Sequence, residues 1–135
     1  MILLDTSLIV AYANTADQNH ERAVQVMKAV AEGIHGTPVI TDYVFNEVVT
    51  VTLIKAKSLT KACELGETLL KSCLMFKVDE PTFQLAWKLF KEQDKPYLSF
   101  TDCVNVATCR LNGISKIATF DKAFLKVKDL TVIGP

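Results

Sequence analysis

Several features that would direct a sequence toward a particular class are scarce in this one. The four cysteines, Cys63, Cys73, Cys103 and Cys109, form no C-x-x-C pair and have no histidine near them. Neither a zinc site nor a secreted disulfide framework is indicated, and reduced cytosolic thiols are the simpler expectation. Only His20 and His35 carry imidazole; both fall in expected loop or helix-end positions, away from any Ser or Cys context for a triad, and are read as surface residues. Every apolar run is interrupted well before membrane-spanning length, and no basic segment leads into an apolar one at the start, so a soluble cytoplasmic protein is expected. There is no G-x-x-x-x-G-K-[ST] loop for a nucleoside triphosphate. Net charge is missing too: 15 basic and 15 acidic residues cancel, which removes the strong positive field of a bulk nucleic-acid binder. A polyanion would have to be held locally. The candidates are Lys55 and Lys57, with Lys61, between two expected helices, and Lys122 and Lys126, with Arg110, Lys116 and Lys128, toward the carboxyl end; ordinary solvated lysines are the alternative.

What is present is apolar material in a regular order. Half of the 135 residues are apolar or aromatic, enough for one core, and a single domain over residues 1–135 is expected. Residues 1–4 read as a short buried strand, and Leu8 to Ala13 as a short helix too apolar for the surface. Ala23, Val26, Met27 and Val30 recur at helical spacing until Gly33 and Gly36. Val39-Ile40 is a second strand. Thr41 can cap a following helix in which Val44, Val48 and Val51 share a stripe beside Phe45, Val49 and Leu53, so that helix is expected to be largely buried. Ser58 to Thr60 opens another, with Leu65, Leu69 and Leu70 inward, although Gly66 costs about 1 kcal/mol there relative to Ala.

Met75 to Val78 reads as a strand. Asp79-Glu80-Pro81 starts a helix in which Phe83, Trp87 and Phe90 form a stripe, and Trp87 is assigned to the core. Ser99-Phe100-Thr101-Asp102 has the form of a capping box opening a helix to about Leu111, ended by Asn112-Gly113. Lys116 to Thr119, a short helix over Asp121 to Val127, and a strand over Leu130 to Ile133 complete the chain. Strands separated by helices, with no hairpin signal between apolar runs, predict an α/β fold: a parallel sheet of about four to five strands with helices on both faces. The helices spanning 42–56 and 61–74 carry more apolar surface than one sheet face needs, which fits a homodimer interface.

Four acids stand out against this frame. Asp5 and Asp121 each follow an apolar run just where a strand should stop, the end at which open α/β sheets bind ligands. Both could merely cap the helices they precede, and Asp102 could merely complete its capping box. Glu47 is harder to place structurally: its helix is apolar on nearly every side, and no Lys or Arg lies one turn away. A more distant cation or a raised pKa could still account for it. If the four converge, each pair at about 4 Å repels by roughly 4 kcal/mol at an effective dielectric of about 20, so compensation is required. Oxygen-only ligands select a hard divalent cation, Mg²⁺ or Mn²⁺, over zinc. Such an ion can activate water and stabilise charge on a phosphoryl group, which is what phosphodiester hydrolysis needs.

The order of these segments is that of a known family. LLDTSLIVA, TDYVFNEVV, LSFTDCVNVATCR and IATFDKAF resemble, in sequence and spacing, the PIN-domain nucleases, particularly the VapC-type toxins of prokaryotic toxin–antitoxin systems, over nearly the whole chain. The resemblance implies a Rossmann-like fold, a Mg²⁺ or Mn²⁺ site, endoribonuclease activity on single-stranded RNA, frequent homodimers, and inhibition by a small antitoxin. Carried over by position, Asp5, Glu47, Asp102 and Asp121 match the family's acidic quartet, as catalytic residues and metal ligands. Thr6 matches the small hydroxyl residue after the first acid, and Thr119 the polar residue two before the last. Asn105, one turn beyond Asp102, stands where related sequences often carry a small hydroxyl residue. Its amide could touch bound water or a phosphate, or cap a neighbouring strand. Haloacid-dehalogenase-like phosphatases need D-x-D after the first strand, and DEDD-type exonucleases D-x-E; Ser7 occupies that position and excludes both. A non-catalytic binding module, or a nuclease for DNA or structured substrates, remain the alternatives.

Overall fold

The computed structural model describes residues 1–135. In chain order the elements are β1 (Ile2–Leu4), α1 (Thr6–Ala13), α2 (His20–Ala31), β2 (Pro38–Thr41), α3 (Asp42–Ala56), α4 (Leu59–Ser72), β3 (Leu74–Phe76), α5 (Glu80–Glu92), α6 (Phe100–Leu111), β4 (Lys116–Ala118), a 3-10 helix (Lys122–Lys126) and β5 (Thr131–Ile133). The five strands form one parallel sheet in the order β3-β2-β1-β4-β5. No helix is long and apolar enough to cross a membrane.

Alternation along the strands divides the core in two. Leu3, Val39 and Ile117 point into a cluster with Ala86 of α5, Cys103, Val104 and Ala107 of α6, and Phe124. Ile2, Leu4, Ile40 and Ala118 point the other way, onto Leu8 and Ile9 of α1, Val26 of α2, Val44 and Val48 of α3 and Leu69 of α4. β1 is therefore buried on both faces, as strands of parallel sheets are, and reads as an unbroken apolar run for that reason. Strand order reverses between β1 and β4, the switch point at which a parallel sheet opens a crevice at the carboxyl ends of its strands.

Local chemistry sets the element ends. Thr41 and Ser58 cap α3 and α4 by accepting from the backbone N–H of Val44 and Lys61, and Asp79 caps α5 through that of Thr82. Gly66 sits where α4 crosses α3: a Cβ there would lie 3.2 Å from Val49 Cγ1 and 3.4 Å from Phe45 Cζ. Its helical cost is offset by that close approach.

Several expectations need correction. The strand read over Met75–Val78 is Leu74–Phe76, because the amide of Val78 bonds to Asp42 Oδ1 at 3.0 Å instead of joining the ladder. α3 is not largely buried: Val44 and Val48 are, but Leu53 and Ile54 are 41% and 67% exposed, since a helix of that length outruns strands of three or four residues. Leu70 faces solvent, and Ala62, Gly66 and Leu69 form the inner face of α4. Trp87 is not in the core. The helix α5 buries Thr82 and Ala86, with Leu85 and Leu89 packed on the core, and turns Phe83, Trp87 and Phe90 outward. His20 and His35 are half-buried rather than surface residues; His20 Nδ1 lies 2.9 Å from the carbonyl of Ala11, joining α2 to the end of α1.

Candidate active site

Asp5 leaves β1 at the N-cap position of α1 but makes no capping hydrogen bond, so helix capping does not explain it. Its carboxylate is turned into the sheet crevice, 3% exposed. Oδ1 accepts from Asn105 Nδ2 at 3.1 Å, and Oδ2 from Thr119 Oγ1 at 2.7 Å and Ser7 Oγ at 2.9 Å. Burial raises its pKa despite the hydroxyls of Thr119 and Ser7, which favour the ionised form.

These donors tie the crevice together. Asn105 is fully buried on α6 and links three elements, since its Oδ1 accepts from Thr41 Oγ1 at 3.4 Å at the end of β2. Its amide thus serves Asp5 and the α3 cap rather than an exposed phosphate. Ser7 Oγ lies 3.0 Å from Thr119 Oγ1 and accepts the amide of Phe120 at 3.0 Å; Thr119 Oγ1 accepts that of Asp121 at 3.0 Å. The segment after β4 is in this way bolted to the segment after β1. Gly134 closes behind it: at φ +131° its Cα approaches Thr119 so nearly that a Cβ would lie 2.3 Å from the Thr119 carbonyl oxygen.

The remaining acids stand on three other elements: Asp102 on α6, Asp121 after β4 and Glu47 on α3. Asp102 completes the capping box of α6: Oδ2 accepts from the Ser99 amide at 2.9 Å, and its own amide donates to Ser99 Oγ at 3.1 Å. Asp121 Oδ1 accepts from the amide of Ala123 at 2.9 Å. The second oxygen of each, Asp102 Oδ1 and Asp121 Oδ2, is left for a ligand. Half-buried Glu47 accepts from Thr6 Oγ1 at 2.7 Å. Structural duties and a shared crevice are therefore compatible, and Asp102 and Asp121 perform both.

Charge within the crevice is not neutralised by protein cations. The one salt bridge of the chain joins Arg110 to Asp129, on the surface. Asp102 is pushed up to about 6 by its burial first, then by the charge of Asp5, with a smaller push from Asp121; its bonds to Ser99 oppose the rise. Asp102 therefore lies within electrostatic reach of both Asp5 and Asp121, and Glu47 is joined through Thr6, the neighbour of Asp5. As the side chains stand, no three acidic, His or Cys groups are set as ligands of one ion. The donor chemistry, all carboxylate and hydroxyl oxygen with unbonded carboxylate oxygens on three of the acids, fits a hard divalent cation.

Of the lysines singled out as nucleic-acid contacts, Lys55, Lys57 and Lys122 are exposed. Lys55 lines a cleft between α1, α3 and α4 with Asn14, Val51, Lys61 and Leu65, apart from the acids. Lys126 is not free: Nζ donates to the carbonyls of Asp94 at 2.6 Å and Pro96 at 2.5 Å and approaches Gln93 Oε1 at 3.3 Å. Ser7 and Thr41 are the site residues that sequence reasoning passed over; the position of Ser7, two residues past a strand-ending Asp, was the available signal.

A family model of the PIN domain matches residues 2–130. Among solved structures, the chain is similar to the Mycobacterium tuberculosis toxin VapC20, described as cleaving the sarcin-ricin loop, with 22% identity over 94% of this chain and 95% of that one and a TM-score of 0.83. It is similar also to VapBC2 of Rickettsia felis bound to a promoter DNA fragment, at 16% identity over 98% and 97% of the two chains, TM-score 0.73. A toxin–antitoxin complex from Klebsiella pneumoniae matches at 16% identity over 97% and 96%, TM-score 0.71. At these identities the likeness is one of fold. No protein of curated function matches the sequence.

Proposed function

The chain belongs to the PIN domain family, and from that premise we propose that it is a metal-dependent endoribonuclease, a VapC-type toxin acting in the cytoplasm as a single domain over residues 1–135. The observation that carries the reading is the charge coupling of Asp102 with Asp5 and Asp121 at the sheet's switch point, with no lysine or arginine paired to any of the four acids. Asp5, Asp102 and Asp121 would hold Mg²⁺ or Mn²⁺, with Glu47 as ligand or as orienter of its water. When bound, the ion supplies a Lewis acid for the scissile phosphate and lowers the pKa of a water.

The protein's own groups do the positioning. Asn105, Ser7 and Thr119 fix both oxygens of Asp5, so its carboxylate enters no competing rotamer. Thr6 holds one oxygen of Glu47 and leaves the other to accept a proton. The capping box fixes Asp102 with one oxygen directed outward. Cleavage leaves a 5′-phosphate and a 3′-hydroxyl. Replacing any one of the four acids by its amide is expected to reduce Mg²⁺-dependent cleavage of single-stranded RNA to near background while leaving circular dichroism unchanged. Full activity in Asp102→Asn would remove that residue from the mechanism.

A small antitoxin is the proposed partner, on the strength of the toxin–antitoxin complexes among the similar folds. The apolar face shared by α3 and α4, where Leu53, Ile54, Leu59 and Leu70 are exposed, is assigned to a second copy of the chain.

A further inference from the structure

Every N–H donor of the Lys126 ammonium has an acceptor inside the protein. Nζ donates to the carbonyls of Asp94 at 2.6 Å and Pro96 at 2.5 Å and to Gln93 Oε1 at 3.3 Å, and an ammonium has three donors to give. None of these acceptors is a carboxylate, so the contact is a clamp on the loop between α5 and α6 and not an ion pair. Gln93 tightens the same loop: its Oε1 accepts from the Leu98 amide at 2.7 Å, and its Nε2 donates to the Leu98 carbonyl at 2.9 Å. Residues 93–98 thus close on themselves and on Lys126 together. A solvated lysine keeps its rotamers; this one, half-buried, gives them up.

The clamp joins the two segments that carry Asp102 and Asp121. On the loop side, buried Leu98 is followed by Ser99, whose hydroxyl accepts from the Asp102 amide and whose amide donates to Asp102 Oδ2. On the other side, Lys126 ends the 3-10 helix that Asp121 caps, and Phe124 and Val127, which flank it, are buried in the core. Packing does not fix one segment against the other. A cleft of about 690 Å³, with Gln93, Asp94, Val106, Arg110 and Lys128 among its walls, opens between the loop, α6 and residues 126–129. The ammonium spans it. Its charge also reaches the first turn of α6: the thiol of Cys103, next to Asp102, is pushed up to about 11 by burial and then by Asp102, while Lys126 draws it down.

We propose that Lys126 is a positioning residue: it straps the loop that leads into Asp102 to the 3-10 helix that Asp121 caps, and the gap it fixes between the two acids makes the crevice favour Mg²⁺ or Mn²⁺ over Ca²⁺. The strap deepens the metal-dependent reading and rests on it. Mg²⁺ demands near-ideal octahedral geometry at about 2.0–2.1 Å, whereas Ca²⁺ accepts flexible arrangements of oxygens at about 2.3–2.6 Å. Two carboxylates on segments free to drift apart therefore lose the smaller ion first. A lysine that only stabilised the fold would leave the ratio of the two affinities where it was.

The test uses the full chain, stripped with chelator and desalted. Mn²⁺ is titrated in and the unbound ion read from its electron paramagnetic resonance signal; Mg²⁺ and Ca²⁺ are then added as competitors. Lys126→Met should bind Mn²⁺ and Mg²⁺ about tenfold more weakly than the parent, and Ca²⁺ less than about threefold more weakly. Lys126→Arg, which keeps a cation with several donors, should recover most of the loss. Gln93→Leu, which releases the loop from its other attachment, should shift the ratio in the same direction, and this keeps the test decisive if Lys126→Met folds poorly. Arg110→Met breaks the surface pair with Asp129 without touching the loop, and its cation affinities should be those of the parent. Equal weakening of all three ions, an unchanged Lys126→Met, or an Arg110→Met that loses as much would overturn the strap alone and leave Lys126 a stabilising residue. A parent that binds no Mn²⁺ would overturn the metal-dependent reading, and the strap with it.

Discussion

Burial raises the pKa of Asp5 and, to about 6, that of Asp102, and the sign of the consequence follows from linkage. Between the ordinary carboxyl value of 3.8 and about 6, the folded chain retains the Asp102 proton that the unfolded chain has released. The cost of ionising Asp102 in its place is absent below that window, grows as pH rises through it, and is fully present above it. Asp102→Asn removes the cost and keeps an acceptor for the Ser99 amide. In chelator, the variant should therefore exceed the parent in stability by about 1–2 kcal/mol at neutral pH, discounted for partial exposure, with the difference fading toward about pH 4. Parallel denaturation curves at both pH values check this. A variant less stable than its parent at neutral pH would show that Asp102 serves the cap alone.

The elements were legible where period and punctuation agree. β1 and β4 read as strands because both faces are buried, and Thr41, Ser58, Asp79 and Ser99 announced the helices they cap. The same two strands carried Asp5 and Asp121 to the crevice, so the acids were visible with them. Choices between neighbouring helical stripes were not legible. On α5, residues 82, 85, 86 and 89 and residues 83, 87 and 90 are both spaced for burial; the larger side chains suggested the second stripe, and packing on α6 takes the first.

Lys126 illustrates a second kind of blindness, since a lysine's partners on a distant loop leave no local trace. Its ammonium clamps the carbonyls of Asp94 and Pro96, and Gln93 exchanges two hydrogen bonds with Leu98, so the segment leading into α6 is fastened to the 3-10 helix that Asp121 caps. Lys126→Met is expected to cost about 1–2 kcal/mol of stability through those charged hydrogen bonds. Its affinity for RNA in EDTA, measured below the unfolding transition, should match the parent. An unchanged melting temperature with weakened RNA binding would return Lys126 to the surface role first assigned to it.

At the scale of the molecule, a chain of zero net charge sets Asp5, Asp102 and Asp121 within electrostatic reach of one another near the point where the strand order of its parallel sheet turns, between β1 and β4. Hydrogen bonds fix each of these three carboxylates, and no lysine or arginine pairs with any of them. A bound divalent ion would offset that repulsion and stabilise the fold in proportion to its occupancy. The most direct measurement is thermal unfolding of the chelator-stripped protein across a Mn²⁺ titration, beside Asp102→Asn and Asp5→Asn. The melting temperature of the parent should rise saturably with Mn²⁺, and both variants should largely lose that rise. A parent unmoved by Mn²⁺, or variants that rise with it equally, would contradict it.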